Sequence, residues 1–261
     1  MRTNLIICGE AVETLGGFPD DAFDCCVFSP PYDDLRSYNG YSIDLHDLGV
    51  QLYRVLKPGG VVAMVIQDQC VGGVKSLTSF RTIVDWCDSV GFSLWECVVY
   101  HRHGKDGVWW RHRFRVDHEY VPLFVKGTKP KTFNKKALYI KSKYAGLVQG
   151  VASNRNADGT TEKFDGFVVN ETKCIGTVWE TKRDGSAIKI KRRHPAPYPD
   201  GLPGNVIKAF TCEGDIVLDP MVGSGSTTAA ANLLNRRWVG IDISEEYCEL
   251  ARGRTANLFS C

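Results

Sequence analysis

The sequence lacks the long hydrophobic runs that would place a chain across a membrane. No apolar stretch approaches the roughly 18 residues that a membrane-spanning helix needs, and the apolar run Leu5 to Cys8 is too short for the core of a signal peptide. The ten cysteines include no C-x-x-C pair, so neither a structural zinc site nor a disulfide framework is expected. We therefore predict no membrane association, no metal site, and a cytoplasmic protein with reduced cysteines.

The composition is that of a folded globular chain, with 261 residues of which 43% are hydrophobic and 24% charged. In both flanks, short apolar runs alternate with stretches of helical spacing, which predicts one large α/β domain with a mainly parallel sheet. The segments 94–100 and 119–125 are predicted to form an antiparallel hairpin at a sheet edge. Strands are predicted over 5–8, 24–28, 61–66, 94–100, 119–125, 216–219 and 238–242, and helices over 43–56, 77–90, 204–210, 226–234 and 244–253.

The net charge of only +2 conceals an uneven distribution. Residues 101–195 contain 21 Lys or Arg against 9 Asp or Glu, so this segment carries +12 and the remainder −10. Basic and aromatic residues are interleaved from Trp109 to Arg115, and a second basic run spans Lys189 to His194. Because phosphate neutralisation by Lys and Arg supplies most non-specific affinity for nucleic acid, a nucleic acid is the leading partner.

The periodicity of apolar residues weakens from Gly127 to about Pro195. The polar stretch 153–166 is too long for an ordinary loop in a compact domain. We predict an inserted, basic recognition region over residues 127–193, between a first half-domain (1–126) and a second half-domain (194–261) of the same fold. The residues expected to contact phosphates or base edges are Arg111, Arg113, Lys191, Arg192 and Arg193.

A glycine-rich turn follows the predicted strand 216–219. The segment 219–227, Asp-Pro-Met-Val-Gly-Ser-Gly-Ser-Thr, is typical of a strand, a tight turn and a helix start, where backbone N–H groups can face a ligand. A phosphate-binding P-loop needs Lys after its last glycine, but this turn has Ser226 there; a dinucleotide fingerprint needs a third glycine, but Thr228 occupies that position. The remaining class is a nucleoside without a pyrophosphate, and S-adenosylmethionine fits. Asp242, at the end of the next strand, would meet the ribose hydroxyls.

A second turn, Ser29-Pro30-Pro31-Tyr32, follows the buried strand 24–28. The two prolines fix the backbone and leave carbonyls as acceptors. A planar amine could donate to the Ser29 hydroxyl and a proline carbonyl while its ring stacks on Tyr32. A rigid surface turn is the simpler interpretation of such a sequence, but its position at the carboxyl end of a strand favours a ligand site.

Together the two turns resemble those of the DNA amino-methyltransferases, the family that methylates N4 of cytosine or N6 of adenine. The Ser-Pro-Pro-Tyr motif precedes the cofactor motif, as in the beta-class, circularly permuted members. The resemblance covers nearly the whole chain outside the basic insert. Further matching segments are Leu56–Gly60, Asp117–Tyr120, His194–Pro199 and Gly240–Tyr247.

The resemblance implies a permuted, Rossmann-like α/β methyltransferase fold with S-adenosylmethionine as the cofactor and double-stranded DNA as the partner. The chain order agrees with a permutation, since joining the last helix to the strand 5–8 would restore the alternation of strands and helices. A cognate restriction endonuclease and a homodimer are further partners that the resemblance allows. The implied cofactor-binding residues are Asp219, Pro220, Met221, Gly223, Gly225, Ser226, Thr227, Asp242 and Glu10. Two of these depart from the family pattern, because Met221 replaces a usual Phe and Glu10 replaces a frequent Asp.

The implied reaction is direct methyl transfer to the exocyclic amine of a flipped base, with Ser29, Pro30, Pro31 and Tyr32 as the catalytic motif. No Pro-Cys nucleophile motif is present, which agrees with a reaction that needs no covalent enzyme intermediate. Ser at the first motif position favours cytosine N4, whereas adenine N6 is the alternative. An RNA or protein amino-methyltransferase is a more distant alternative. His118 and Glu119 are assigned equally to the pocket and to a structural role.

Overall fold

The alternating strands and helices predicted from the sequence are present in the computed structural model of the chain. It describes residues 1–31, 43–102, 114, 116–181 and 201–256. Fourteen strands and six α-helices lie within these residues. The strands are β1 Leu5–Cys8, β2 Phe23–Phe28, β3 Leu56–Met64, β4 Cys70–Val71, β5 Val74–Lys75, β6 Ser93–Arg102, β7 His118–Val125, β8 Tyr139–Lys141, β9 Ala152–Arg155, β10 Thr161–Phe164, β11 Thr172–Cys174, β12 Val178–Thr181, β13 Ile216–Asp219 and β14 Arg237–Asp242.

Five of the α-helices lie where the spacing of apolar residues predicts them, and the first, Ala11–Gly16, was not predicted. A π-helical turn, Trp86–Val90, continues the third helix, and a short 3-10 helix spans Lys135–Leu138. The turn ends at Gly91, whose φ of 102° is a left-handed conformation that favours glycine. The six α-helices are α1 Ala11–Gly16, α2 Leu45–Val55, α3 Thr78–Asp85, α4 Gly201–Phe210, α5 Ser226–Leu233 and α6 Glu245–Ala256.

Eight strands form one sheet in the order β1-β14-β13-β2-β3-β7-β6-β12. All neighbouring pairs are parallel except those of β7, which runs antiparallel to both β3 and β6. Every residue of β2 and of β13 is buried, as expected for strands covered by helices on both faces. The predicted Rossmann-like α/β fold is thereby confirmed.

Two details of the predicted sheet need correction. The hairpin of β6 and β7 is not the last element of the sheet, because β12 pairs in parallel with the second part of β6, from Val99 to Arg102. The strand predicted to begin at Val61 begins at Leu56 instead. Its register against β2 shifts between Phe23 and Cys25, which accommodates the extra residues 57–60 as an irregularity in the strand.

Three large aromatic side chains meet in the core beside helix α2. The rings of Trp86, Phe92 and Phe124 contact each other at centroid distances of 4.8 to 5.8 Å. The indole N–H of Trp86 donates to the carbonyl of Leu45 at 2.8 Å, so its polar atom is satisfied inside the core. A Cβ added at Gly49 would lie 2.5 Å from Trp86 Nε1, and α2 therefore approaches the indole through a glycine.

The described chain divides into two compact units. The first comprises Met1–Asn134 and Thr177–Cys261, and the second is Lys135–Gly176. The first unit contains the eight-stranded sheet, whereas the second contains β8 to β11. The second unit lies within the predicted insert of residues 127–193, whose boundaries remain a prediction. Within the residues that the structure describes, no helix has the length and apolar character required to cross a membrane.

Replacing Gly49 by Ala should destabilise the fold. The added methyl group overlaps the buried indole of Trp86, and such overpacking costs roughly 1–3 kcal/mol. A lower urea midpoint with an unchanged m-value would show this loss. Gly16→Ala is the matched control, because a Cβ at Gly16 meets nothing within 4 Å. Equal midpoints for the two variants would contradict the packing of α2 on Trp86.

Candidate active site

The predicted site residues follow strands whose carboxyl ends share one edge of the sheet. Cys8 of β1 pairs with Asp242 of β14, and Asp219 of β13 pairs with Gly240. Cys26 of β2 pairs with Leu218. Because these four strands are mutually parallel, the segments that follow them are brought together at that edge, where ligands of open α/β sheets bind.

The glycine-rich turn after β13 is held by backbone and carboxylate contacts. Asp219, which is 1% exposed, accepts the N–H of Met221 at 3.0 Å. The N–H of Val222 donates to the carbonyl of Ile241 at 2.8 Å. Pro220 lies between Asp219 and Met221 and is buried. The turn is therefore attached to the last residue of β13 and to the neighbouring strand β14.

Two glycines of this turn adopt conformations that side chains rarely allow. Gly223 has a φ of 47° and Gly225 a φ of 79°, both in the left-handed region. A Cβ at Gly225 would lie 3.1 Å from Cα of Ala251 in α6, so the turn also packs closely against that helix. The backbone conformation explains why glycine is needed at Gly223. At Gly225 the backbone conformation and the close packing against α6 both require it.

Helix α5 begins immediately after Gly225 and is anchored to the neighbouring strand. The hydroxyl of Thr227 donates to the carbonyl of Val27 in β2 at 3.2 Å. Thr228, fully buried, donates its hydroxyl to the carbonyl of Gly225 at 3.2 Å. Its side chain fills the position where a dinucleotide fingerprint has a third glycine, which agrees with the exclusion of a dinucleotide.

The carboxylate of Asp242 bridges the glycine turn and the segment after β14. One oxygen accepts the N–H of Gly223 at 2.9 Å, and the other accepts the N–H of Ser244 at 3.0 Å. Burial raises the pKa of Asp242 above its ordinary value, although the hydrogen bonds from Ser244 and Gly223 act in the opposite direction. Each carboxylate oxygen has two lone pairs, so the geometry retains acceptor capacity for a ribose hydroxyl.

Glu10 lies at the same edge but has a contact that the sequence did not predict. Its side-chain oxygen Oε2 accepts the N–H of Glu13 at 2.7 Å, so Glu10 is the N-cap of α1. The preceding residue, Gly9, donates its N–H to the carbonyl of Asp242 at 2.9 Å. Glu10 therefore directly follows a residue that is hydrogen-bonded to Asp242, and one carboxylate oxygen of Glu10 caps α1.

The Ser-Pro-Pro-Tyr motif is described as far as Pro31. Ser29, Pro30 and Pro31 follow β2 directly, and Pro30 is buried whereas its two neighbours are partly exposed. The carbonyl of Phe28 accepts the N–H of Val65 at 2.8 Å, which fixes the start of the turn against the segment after β3. Tyr32, the predicted stacking residue, lies outside the described residues.

The residues predicted to contact DNA are five basic side chains. Outside the described residues lie all five: Arg111, Arg113, Lys191, Arg192 and Arg193.

His118 and Glu119, the pair assigned equally to the pocket and to a structural role, lie at the start of β7. The carbonyl of His118 accepts the Gln67 side-chain amide at 2.5 Å, and the ring of His118 contacts Tyr120 edge-on at 5.3 Å. These contacts are compatible with either of the two roles predicted for the pair.

Arg254 is a residue at this site that the sequence motifs do not indicate. Its guanidinium donates to the hydroxyl of Ser226 at 3.0 Å and to the carbonyl of Ser224 at 3.3 Å. Both serines are 4% exposed. Arg254 therefore supports the glycine turn from the last turns of α6, about 30 residues further along the chain. Only the packing of α6 on the turn reveals this role.

Comparison with known proteins identifies the family. Residues 23–253 match the family described as DNA methylase. The orphan methyltransferase M.BamHII of Bacillus amyloliquefaciens is 37% identical to this chain over 246 residues, which cover 91% of this chain and 90% of that protein. The chain belongs to this DNA methylase family and is an enzyme. The family depends on S-adenosylmethionine, so the predicted cofactor is confirmed at the level of the family.

Two solved structures share the fold. The PvuII DNA methyltransferase, described as cytosine-N4-specific, superimposes with a TM-score of 0.72 at 20% identity, covering 97% of this chain and 86% of that one. The Thermus thermophilus protein TTHA0409, solved in complex with S-adenosyl-L-methionine, gives a TM-score of 0.64 at 22% identity, with 97% and 94% covered. At these identities the likeness concerns the fold.

Replacing Asp242 by Asn should weaken cofactor binding by about 10- to 100-fold, since hydrogen bonds to a charged acceptor contribute about 1.5–3 kcal/mol. The amide cannot accept from both Gly223 and Ser244, because one of its two polar atoms is a donor. Isothermal titration with S-adenosylmethionine measures the change. Asp215→Asn is the matched control, because that carboxylate also accepts a backbone N–H, from Cys212, but lies at the opposite end of β13.

The same measurement has a pH dependence with a defined sign. Because the pKa of Asp242 is raised, its carboxylate becomes protonated at a higher pH than an ordinary aspartate. Cofactor affinity of the wild type should therefore fall as the pH is lowered, at a higher pH than ionisation of an ordinary aspartate would predict, and Asp242→Asn should lack this component. An identical pH profile for both proteins would contradict the role of Asp242.

Proposed function

We propose that this enzyme is a site-specific DNA methyltransferase that transfers a methyl group from S-adenosylmethionine to N4 of a flipped cytosine. One observation carries the proposal: the Ser29-Pro30-Pro31 turn and the glycine-rich turn follow adjacent parallel strands. The contact from Thr227 to Val27 joins α5, which begins at the glycine turn, to β2, which ends at Ser29. An acceptor-rich turn and a nucleoside-binding turn at one sheet edge are what such a transfer requires.

The residues present fit the cofactor. Gly223 and Gly225 leave the turn without side chains at the points where its φ angles are positive, and a nucleoside could therefore approach the backbone closely. The carboxylate of Asp242 is suited to the hydroxyls of a ribose. In this proposal Asp219 orients the cofactor through the turn that it holds, and the remaining residues assigned from the family, Pro220, Met221, Ser226, Thr227 and Glu10, line the same edge.

The Ser-Pro-Pro segment suits a planar amine. The hydroxyl of Ser29 and the carbonyl of Pro30 can each accept an amine N–H, and the proline ring restricts the backbone so that the acceptors are oriented before substrate arrives. Accepting both N–H groups aims the nitrogen lone pair in one direction. When bound, S-adenosylmethionine would supply a sulfonium methyl: the S–C bond would break as the N–C bond forms, leaving a neutral thioether, and the amine would release one proton to solvent. Alignment of this kind accounts for a large part of a rate enhancement.

The amine of a paired base is not accessible in a duplex, so the base must leave the stack. Tyr32, which follows Pro31, is proposed to stack on the flipped ring. Ser at position 29 favours cytosine N4, and the cytosine-N4 specificity named for the PvuII enzyme supports the same choice. Adenine N6 is the alternative, because the same acceptors could hold either amine. RNA or protein as the substrate is the more distant alternative.

The beta-class arrangement is part of the proposal. It is supported by the parallel pairing of the first strand, β1, with the last strand, β14, at the sheet edge. The alternation of strands and helices would therefore continue from α6 to β1 if the ends were joined. A cognate restriction endonuclease, a homodimer and a cytoplasmic location remain predictions from the sequence.

Identifying the methylated nucleoside tests the proposed function. Purified enzyme is incubated with methyl-labelled S-adenosylmethionine and, in parallel reactions, with unmethylated duplex DNA, RNA or protein, and the nucleic acids are digested to nucleosides. Labelled N4-methyldeoxycytidine is expected. Labelled N6-methyldeoxyadenosine would keep the enzyme among the DNA amino-methyltransferases but identify adenine, not cytosine, as its base. Label found in RNA or protein but absent from DNA would overturn DNA as the substrate.

Replacing Tyr32 by Ala should reduce kcat/KM for DNA by about 10- to 100-fold, because stacking of a base on an aromatic ring contributes about 1–3 kcal/mol. Cofactor affinity should stay close to that of the wild type. Tyr32→Phe keeps the ring and should keep most of the activity. Parallel losses of cofactor affinity and methyl transfer in the Ala variant would contradict a stacking role.

A further inference from the structure

The second compact unit is a single antiparallel ribbon with two arms. Near its base, β8 pairs with β11, from Tyr139 opposite Cys174 to Lys141 opposite Thr172. The arms continue through the bridge between Val148 and Val168 and reach β9 and β10. Backbone hydrogen bonds fill the intervening positions, such as Gln149 N–H to the carbonyl of Phe167 at 2.9 Å.

The ribbon is long compared with an ordinary hairpin. The arm from Thr161 to Cys174 would span up to about 45 Å at roughly 3.3 Å per residue, which exceeds the roughly 34 Å of one turn of a DNA duplex. Its outer half, β9 and β10, has neither face covered: all eight residues are exposed except Ala152, which is partly exposed. A two-stranded ribbon with both faces exposed is marginal on its own, which indicates a surface made for a partner.

The turn at the end of the ribbon is fixed by its own side chains. Thr160 donates its N–H and its hydroxyl to the same carboxylate oxygen of Asp158, at 2.9 and 2.6 Å. These two hydrogen bonds lower the pKa of Asp158. Gly159 supplies a φ of 85°, and the Asn156 amide donates to the Thr160 hydroxyl at 3.1 Å. The acidic side chain of the turn is thereby engaged within the turn, and the register of β9 and β10 is set.

That register separates the side chains of β9 and β10 into two different faces. Residues directly opposite each other in an antiparallel pair share a face, and alternate residues lie on opposite faces. One face therefore carries Ser153 opposite Lys163 and Arg155 opposite Thr161. We name these four residues the basic face. It contains two cations, two hydroxyls and no acidic residue.

The opposite face has a different chemistry. It carries Ala152 opposite Phe164 and Asn154 opposite Glu162. The ring of Phe164 stacks on that of Phe167 at a centroid distance of 6.4 Å. An apolar pair and an acidic residue make this face a poor match for a polyanion. Only the basic face is complementary in charge to nucleic acid.

We propose that the basic face of this ribbon enters the major groove of the DNA substrate, where Arg155 contacts a base edge and Lys163 contacts a phosphate. This assignment rests on the proposed function, and it names the element that selects the DNA sequence. The major groove admits a two-stranded β-ribbon, and Arg bound bidentately to guanine is its commonest specific contact. Ser153 and Thr161 flank the two cations with hydroxyls that can bond to bases or phosphates.

The test compares the two faces of the ribbon. The recognised sequence is first found by mapping the methylated bases in genomic DNA treated with the wild-type enzyme. Arg155→Ala should lower kcat/KM at that sequence by roughly 5- to 150-fold and allow methylation of sites that differ at one position. Arg155→Lys keeps the charge but not the planar fork, so the relaxed specificity should persist.

Lys163→Ala should change DNA affinity and its salt dependence, not sequence specificity. DNA binding, measured by fluorescence anisotropy with the cofactor present, should weaken equally for all duplex sequences, and the salt slope should fall by about 1. Asn154→Ala and Glu162→Gln are the matched controls, because they lie on the opposite face at the same level of the ribbon. Their activity and DNA affinity should stay within about twofold of the wild type.

The outcomes separate the two proposals. If the wild type methylates DNA but the basic-face variants match the controls, the basic face does not contact DNA and the proposed function stands. If variants of both faces lose activity equally while cofactor binding is retained, the ribbon matters for its structure and the assignment of the face is overturned. If the wild type methylates no DNA, the proposed function and this inference both fall.

Discussion

Parallel pairing of β2, β13, β14 and β1 is the constraint on which the remainder of the site depends. Parallel strands bring their carboxyl ends to one edge, so residues that are nearly 200 positions apart in sequence become neighbours. The complete burial of β2 and β13 protects this arrangement, because a one-residue slip would exchange side chains between the two packed faces. The Ser29 turn and the glycine turn are therefore positioned by the core of the protein, and their own contacts need only refine that position.

Two aspartates make these refinements and a third holds the amino ends of β2 and β13 together; all three accept backbone N–H groups. Asp24 of β2 accepts the N–H of Ile216 at 3.0 Å while also binding the ammonium of Lys57. Asp219 accepts the N–H of Met221 within the glycine turn, and Asp242 joins that turn to the end of β14. Burying a carboxylate is costly unless such donors surround it. Part of the negative charge of the flanks is thus structural, whereas the Lys and Arg side chains of the ribbon are exposed.

The sequence predicts those parts of the structure that local chemistry determines. The strand, glycine turn and helix from Ile216 to Leu233 follow from a continuous apolar run and from glycines at positions with positive φ. Glu10 as a helix cap and Arg254 beside the turn could not be predicted, because both depend on how distant helices pack. The ribbon was missed for another reason: its outer strands bury neither face, so they carry no alternation of apolar and polar residues. The Asp158-Gly159 pair was the one local signal of its turn.

The acidic character of the candidate site also restricts its ligand. Asp219 and Asp242 lie around the glycine turn, and no lysine follows its last glycine. A pyrophosphate placed there would meet two carboxylates and one guanidinium, that of Arg254, so the charges around the turn would give it no net attraction. A nucleoside that carries a positive sulfonium meets the opposite situation, because the same carboxylates favour its charge. In the proposed function, the charge of the residues around the turn and the missing third glycine therefore both favour S-adenosylmethionine over the phosphate-bearing ligands that use a similar backbone.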